Sequence, residues 1–252
     1  MKEVDNNMKE KRIFYLLIFC ITFILGNNAY AKEIESYTNK NGVTLTKKEY
    51  EFVSEFYGLE HYERMTQDDY EWLEDLNINT NDVEIQTIYD YENGISRTTS
   101  HATSNKKISI AKSCSSICTI ITNVTWYSNP TVRSYDVLGA RLVNTTLAND
   151  SITTKLYSSA GTITSSSIKY SGSGFGVSIK LPSGAIDISL DQKFYVNTGG
   201  YVYASYQHAI TTVTLNTSLL YTIGNGGYGG VFNFYGAAVG CYDQMGGVYI
   251  TT

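Results

Sequence analysis

The stretch Gly174-Phe-Gly-Val-Ser-Ile-Lys-Leu-Pro-Ser-Gly-Ala-Ile-Asp-Ile-Ser-Leu-Asp191 gives the clearest local indication of the fold. Apolar residues alternate with small or polar ones along 174–181 and again along 186–191, which is the period of a β-strand with one buried face. Between the two runs, Pro182-Ser-Gly184 supplies residues that turns favour. The stretch therefore predicts an amphipathic β-hairpin.

The residues around this hairpin repeat the pattern over shorter lengths. Val, Ile, Thr and Tyr, which favour pleated and half-buried surfaces, are frequent from residue 111 to the end of the chain. Short strands separated by turn residues are typical of a sandwich or a barrel. We therefore predict a mainly β fold, an antiparallel β-sandwich or distorted barrel preceded by a small acidic helical hairpin. The other predicted strands cover residues 117–125, 132–143, 152–158, 162–170, 194–196, 201–208, 210–217 and 231–234.

A short repeat, Leu45–Phe56 and Met65–Leu76, precedes the β-rich part. The second residue of each copy is a threonine, and an acid follows it three residues later, as in Thr46 and Glu49. This spacing is typical of a capping box, in which the two residues satisfy each other's backbone N–H groups at a helix start. Apolar and aromatic side chains follow at helical spacing. We predict a helical hairpin within residues 32–96.

Charge divides the chain into two parts. Residues 32–110 carry 16 acidic and 8 basic side chains, whereas residues 111–252 carry 5 acidic and 7 basic ones. Between them, residues 97–107 contain no apolar side chain larger than alanine, which is typical of a linker. We place a linker at 97–110 and expect the β-domain, residues 111–252, to fold without the acidic part.

The first thirty-one residues have the three parts of a secretory signal peptide. A basic segment, Lys9-Glu-Lys-Arg12, precedes the apolar run Ile13–Leu25, and Ala29-Tyr-Ala31 provides a cleavage site. The apolar run is shorter than the roughly 20 residues that a membrane-spanning helix needs. We therefore predict a signal peptide at 1–31 and a secreted, extracellular protein that begins at Lys32. The frequent Lys, Asn, Ile and Tyr residues are typical of proteins from bacteria with AT-rich genomes.

Three cysteines remain after the predicted cleavage, Cys114, Cys118 and Cys241. Export permits a disulfide, and the odd number leaves one thiol over or all three reduced. A bridge from Cys114 or Cys118 to Cys241 would close the longest loop. The local pair Cys114–Cys118 is the competing arrangement, and the sequence does not choose between them.

Residues that commonly carry catalysis are sparse. The sequence contains no zinc-protease, nucleophile-elbow, phosphate-loop or calcium-loop motif. Its histidines, His61, His101 and His208, fall in the helical part, the linker and a strand. A Cys241–His208 nucleophile pair would make a secreted hydrolase, which is the third hypothesis. We predict no enzyme and assign no catalytic, metal or cofactor residue.

Tyrosines offer the best candidate contact surface. Tyr195, Tyr201 and Tyr203 lie close together in sequence, and the last two share one face of a predicted strand. A tyrosine ring stacks on a sugar or packs against a protein, and its hydroxyl adds a polar contact. We therefore favour a non-catalytic binding module whose partner is a surface glycan or a protein. The net charge of −5 gives no basic surface for nucleic acid.

A pore-forming protein is the alternative hypothesis, and a membrane is a partner only under it. The stretch 151–191, in which Ser and Thr alternate with apolar residues, resembles in composition the membrane-inserting hairpins of aerolysin-like pore formers, and no diagnostic motif accompanies it. An ordinary half-buried hairpin shows the same alternation. The residues that would face lipid are Phe175, Val177, Ile179, Leu181, Ile186, Ile188 and Leu190.

Overall fold

Two antiparallel sheets, of five and seven strands, face each other around one apolar core. The computed structural model describes residues 35–91, 94–96, 104–127, 130, 132–158, 163–164, 168–171, 173–184, 188–211, 221–224, 231–243 and 247–252. The predicted mainly β, sandwich-like fold with preceding helices is confirmed. The predicted signal peptide lies outside the described residues and stays a prediction.

The described elements are three α-helices, one short 3-10 helix (Gly236–Ala238) and sixteen strands. The helices are α1 (Lys47–Phe56), α2 (Leu59–Arg64) and α3 (Gln67–Asp75). The strands of the first half are β1 (Ser36–Thr38), β2 (Thr44–Thr46), β3 (Glu84–Tyr91), β4 (Gly94–Ser96), β5 (Ser104–Cys114), β6 (Ile117–Trp126), β7 (Tyr135–Val143) and β8 (Thr153–Ser158). Those of the second half are β9 (Ile163–Thr164), β10 (Ile168–Ser171), β11 (Gly174–Lys180), β12 (Ile188–Asn197), β13 (Tyr201–Gln207), β14 (Tyr221–Ile223), β15 (Phe232–Phe234) and β16 (Val248–Thr251).

Strand order places the last described strand at an edge. The five-stranded sheet has the order β10-β11-β7-β13-β16, and the seven-stranded sheet has the order β4-β3-β5-β6-β12-β8-β9. The pair β14–β15 covers part of the outer face of the five-stranded sheet, where the rings of Tyr221 and Phe232 lie against Gly176. A Cβ at Gly176 would stand 2.7 Å from the Tyr221 ring, so a residue without a side chain is needed there.

The predicted 174–191 hairpin is wrong in its pairing. β11 pairs with β10 and β7, whereas β12 pairs with β6 and β8, so the chain crosses from one sheet to the other at Pro182–Gly184. Both strands direct alternate residues into the same core. The alternation of apolar residues shows which face of a strand is buried, but it does not show which strand is the hydrogen-bonded partner. Of the seven predicted lipid-facing residues, Ile186 lies outside the described residues, and those buried in the core are Phe175, Val177, Ile179, Leu181, Ile188 and Leu190.

The two predicted helix starts are confirmed as complete capping boxes at Thr46 and Thr66. In the first, the Thr46 N–H donates to Glu49 Oε2 (2.8 Å), and the Glu49 N–H donates to Thr46 Oγ1 (3.4 Å). The sequence missed the short α2, which begins after Gly58, a glycine with a φ of 108°. None of the described helices has the length and apolar content that a membrane crossing needs.

The helices pack on the outer face of the seven-stranded sheet. Val53, Phe56 and Leu76 share a buried cluster with Ala111 of β5 and Ile121 of β6. Since the other face of β6 lies in the sandwich core, this strand is buried on both sides, and its polar residues Thr122, Asn123 and Thr125 are buried together with its apolar ones.

Buried polar contacts hold the helices to the sheet. Asp191 of β12 is fully buried and accepts hydrogen bonds from Tyr57 Oη (3.0 Å), Trp72 Nε1 (2.9 Å) and Asn123 Nδ2 (2.8 Å). Burial raises the pKa of Asp191 to about 6, and the three donors oppose that rise. Lys193 Nζ donates to the Asp75 carbonyl at the end of α3 (2.8 Å), where a cation is favoured by the helix dipole.

The predicted linker differs from the structure in its second half. Residues 97–103 lie outside the described residues, but 104–110 form most of β5 inside the seven-stranded sheet. Lys106 and Lys107 gave this segment the composition of a linker, yet only 3% and 1% of their surfaces are exposed. Lys106 contacts Asp243 Oδ2 and Lys107 donates to the Glu55 carbonyl, so the composition of the segment misled the prediction.

Candidate functional site

The structure separates the three predicted contact tyrosines. Tyr195 lies on β12 in the seven-stranded sheet, where Lys193 Nζ is 5.3 Å from the centre of its ring. Tyr201 and Tyr203 lie on β13 in the five-stranded sheet. The chain changes sheets at the turn between β12 and β13, so tyrosines close in sequence belong to opposite sheets. The structure brings together only the last two, and their alternation on one face is as predicted.

A third tyrosine, Tyr249 of β16, completes the surface. It is the cross-strand partner of Tyr203, and the two ring centres are 5.3 Å apart at an interplanar angle of 34°. Tyr201 is 40% exposed, Tyr249 is 43% exposed, and Tyr203 is half-buried. We name Tyr201, Tyr203 and Tyr249 the tyrosine platform. β16 has only four residues, too short a run to be found from alternation, which is why the sequence did not indicate Tyr249.

A groove lies beside the tyrosine platform, between β16 and β3. Its volume is about 330 Å³, and Tyr249 and Thr251 line it from the β16 side. Lys112 of β5 joins the two rims, because its Nζ donates to the Thr251 carbonyl (2.7 Å) and pairs with Glu84 Oε2 of β3 (2.8 Å). On the other side of β13, Arg141 is the cross-strand partner of Tyr203. The platform therefore has polar groups on both flanks.

A buried polar cluster lies at the other end of β13. Asp136 is fully buried, accepts hydrogen bonds from Tyr206 Oη and from the Ala209 N–H (3.0 Å), and contacts His208 Nδ1 at 2.9 Å. Trp126 Nε1 donates to Tyr206 Oη at 3.3 Å. Burial, with the adjacent Asp136, raises the pKa of Tyr206 well above its ordinary value. This cluster connects the two sheets, since Trp126 belongs to β6.

A lysine and a second aspartate continue this cluster. Lys106 Nζ contacts Asp243 Oδ2, and the His208 N–H donates to Asp243 Oδ1 (2.9 Å). The side chains of Lys106 and Asp243 are 4% and 20% exposed. Nζ also lies 5.0 Å from the centre of the Trp126 ring. Sequence reasoning missed these residues, because a buried charge looks like a surface charge in the sequence.

The positions of the cysteines and histidines agree only in part with the arrangements considered from the sequence. The bridge joins Cys114 to Cys118 across the β5–β6 turn, so of the two arrangements that the sequence left open the local pair forms, and neither cysteine is bridged to Cys241. Adjacent antiparallel strands place residues 114 and 118 opposite each other, which favours the local pair. Cys241 keeps its thiol and is buried beside Tyr242 in the cluster around β14 and β15, whereas His208 directs Nδ1 to Asp136.

The described residues include no group of three or more His, Cys, Asp or Glu side chains placed to hold a metal ion. His61 stacks on Tyr57 in the helical layer, with ring centres 4.5 Å apart, and His101 lies outside the described residues.

Comparison with known proteins gives no family. No protein family model and no curated protein matches the sequence. Two structures of RrgB, the pilus backbone protein of Streptococcus pneumoniae, are similar in part. One has a TM-score of 0.29 and 8% identity over 51% of this chain and 32% of that one. The full-length structure has a TM-score of 0.25 and 9% identity over 49% and 22%. The chain thus spans a third or less of either, and scores this low carry no argument about function.

Proposed function

We propose that the protein is a secreted, non-catalytic binding module that holds an extracellular glycan on the tyrosine platform. The observation that carries the proposal is the side-by-side placement of Tyr203 and Tyr249, with Tyr201 next to them on the same outer face. Tyr201 and Tyr249 leave about two fifths of their surface in water. Large exposed aromatic groups that adjoin on one face are characteristic of contact surfaces.

Rigid β-strands favour this use of tyrosine. Both strands of the platform are hydrogen-bonded within the sheet, so the rings are held in place before a ligand arrives, and little conformational entropy is lost on binding. A tyrosine face packs against the C–H groups of a sugar ring, and the hydroxyl forms a hydrogen bond. The platform is therefore suited to a ring that is apolar on its faces and polar at its rim.

The flanks of the platform favour a glycan over an apolar protein surface. Arg141 on one side and Thr251 on the other supply polar groups beside the rings, and the groove next to β16 extends the surface. Lys112 beside the groove is already paired with Glu84, so its charge is not available to an anionic polymer. We therefore expect a neutral polysaccharide.

Co-sedimentation with insoluble neutral polysaccharides tests this proposal. We expect the wild type to bind and Tyr201→Ala and Tyr249→Ala each to weaken binding by about tenfold or more, since about 1.4 kcal/mol corresponds to a factor of ten. The matched control is Tyr170→Ala, because Tyr170 is 52% exposed on β10, at the opposite edge of the same sheet. Equal binding by all three variants, or no binding by the wild type, contradicts the proposal.

A further inference from the structure

We propose that Lys106 and Asp243 become joined by an amide bond between Nζ of the lysine and Cγ of the aspartate. The two side chains are in direct contact in the interior of the protein. They lie 137 residues apart in the sequence, on β5 and in the segment that leads to β16. The bond ties the seven-stranded sheet to the C-terminal end of the chain, and it is independent of any ligand on the tyrosine platform.

The two oxygens of Asp243 have different partners, which assigns a role to each. Oδ1 accepts a hydrogen bond from the His208 N–H at 2.9 Å, whereas Oδ2 contacts Lys106 Nζ. A backbone N–H aimed at one oxygen stabilises the negative charge that develops there during attack on the carboxyl carbon. Oδ1 therefore becomes the amide carbonyl oxygen, and Oδ2 is the oxygen that leaves.

The surroundings favour the reactive, neutral forms of both groups. Trp126 lies over Nζ at 5.0 Å, and Asp136 and Tyr206 nearby are almost fully buried. Burying an ion pair away from water is costly, so transfer of a proton from the ammonium group to the carboxylate is eased there. Burial also raises the pKa of Asp243, and Lys106 opposes that rise. A free amine is a nucleophile, and a protonated carboxyl group loses water more readily than a carboxylate.

The reaction is a condensation that needs no oxidant and no co-reactant. One proton first passes from the Lys106 ammonium group to Oδ2 of Asp243. The Nζ lone pair then attacks Cγ, and the C–N bond forms. A second proton moves from Nζ to Oδ2, the Cγ–Oδ2 bond breaks, and one water molecule leaves. Two groups held in contact react as if at a very high local concentration, and this offsets the poor leaving group.

The neighbouring Lys107 explains why one lysine reacts and the other does not. Lys107 is as deeply buried as Lys106, but its Nζ donates to the backbone carbonyl of Glu55 at 2.9 Å. A backbone amide offers no carboxyl group for condensation. Lys107 is thus a natural control, one residue away on the opposite face of the same strand.

Mass spectrometry of the purified full-length secreted protein tests the proposal. The mass of the reduced and denatured chain is compared with the mass calculated for the sequence that starts at its experimentally determined first residue. We expect the wild type and Lys107→Met to be lighter than calculated by one water molecule, and Lys106→Met and Asp243→Ala to have their full calculated mass. A tryptic digest of the wild type should contain one branched peptide that joins the segments around residues 106 and 243.

The wild-type measurement alone can overturn the proposal, whether or not the variants fold. A wild type at its full calculated mass, with separate peptides for Lys106 and Asp243, means an ordinary buried ion pair. A mass deficit that persists in Asp243→Ala places the lost water elsewhere and also contradicts the assignment.

Discussion

Lys106 and Lys107 are adjacent in sequence but lie in different layers of the protein. Because side chains alternate along a strand, Lys106 enters the polar cluster beside Asp243, and Lys107 points beneath the helices, where it reaches the Glu55 carbonyl. Each buried charge is compensated by a specific oxygen, since a buried ammonium group without a partner is strongly destabilising. The layer in which a lysine lies therefore determines its chemistry.

Stability at alkaline pH should reveal the burial of Lys107. Burial lowers the pKa of Lys107 from 10.5 to about 7, so the folded protein releases this proton near neutral pH while the unfolded chain retains it. The unfolded state then binds more protons above pH 7, and the free energy of unfolding rises with pH. We expect the wild type to gain on the order of 1 kcal/mol per pH unit relative to Lys107→Met as the pH rises from neutral toward that of a free lysine.

Urea unfolding of both proteins across this pH range measures that difference. Lys193→Met is the matched control, because Lys193 also donates to a carbonyl at a helix end but lies at the surface, and its profile should run parallel to the wild type. A Lys107→Met profile that is also parallel to the wild type would contradict the expected burial.

The strands β11 and β12 were predictable from the sequence, but their pairing partners were not. The alternation along Phe175–Leu181 and Ile188–Leu190 identified two strands and their buried faces. It did not identify their partners, because both strands of a cross-sheet connection and both strands of a hairpin bury alternate residues. The capping boxes at Thr46 and Thr66 were predictable in full, since a cap depends on residues only three positions apart.

Substitutions on the two faces of β11 test this arrangement. Ile179 is 4% exposed in the sandwich core, so Ile179→Asp buries an unpaired charge, costs several kcal/mol, and should prevent folding. Lys180 is the next residue, is exposed and faces outward, so Lys180→Asp should change stability by less than about 1 kcal/mol. Circular dichroism and soluble yield measure both outcomes. A folded, soluble Ile179→Asp protein would show that β11 does not pack permanently in the core.

The point at which the charge composition changes does not coincide with a boundary between independently paired strands. The acidic part and the β-rich part differ in composition near residue 110, yet β3, β4 and most of β5 come from the acidic side and belong to the same sheet as β6, which β5 joins directly. Composition reports on the solvent-facing surface, whereas strand pairing depends on contacts between distant residues. The sequence therefore predicted the layers of the fold, but it did not predict the strands they share or the residues that meet in the polar cluster and on the tyrosine platform.

Truncated fragments should show whether the change in composition or the strand pairing marks the unit that folds. A fragment of residues 111–252 lacks two strands of the seven-stranded sheet and most of a third, which leaves one edge of β6 unpaired, so we expect it to aggregate or remain unfolded. A fragment of residues 84–252 keeps the whole seven-stranded sheet and lacks the three helices and the β1–β2 pair, so we expect it to retain β-structure with reduced stability. Circular dichroism and urea unfolding of both fragments decide the matter. A stable, cooperative 111–252 fragment would restore the division expected from composition.

The two tryptophans of the chain make these layers optically distinct. Trp72 donates its indole N–H to Asp191 at the contact between helices and sheet, and Trp126 donates its own to Tyr206 between the sheets. Emission from the first indole therefore follows separation of the helical layer, and emission from the second follows opening of the sandwich. With a phenylalanine in place of either, intrinsic fluorescence becomes a reporter of one interface at a time, and the chain needs no added dye to show which layer loosens first.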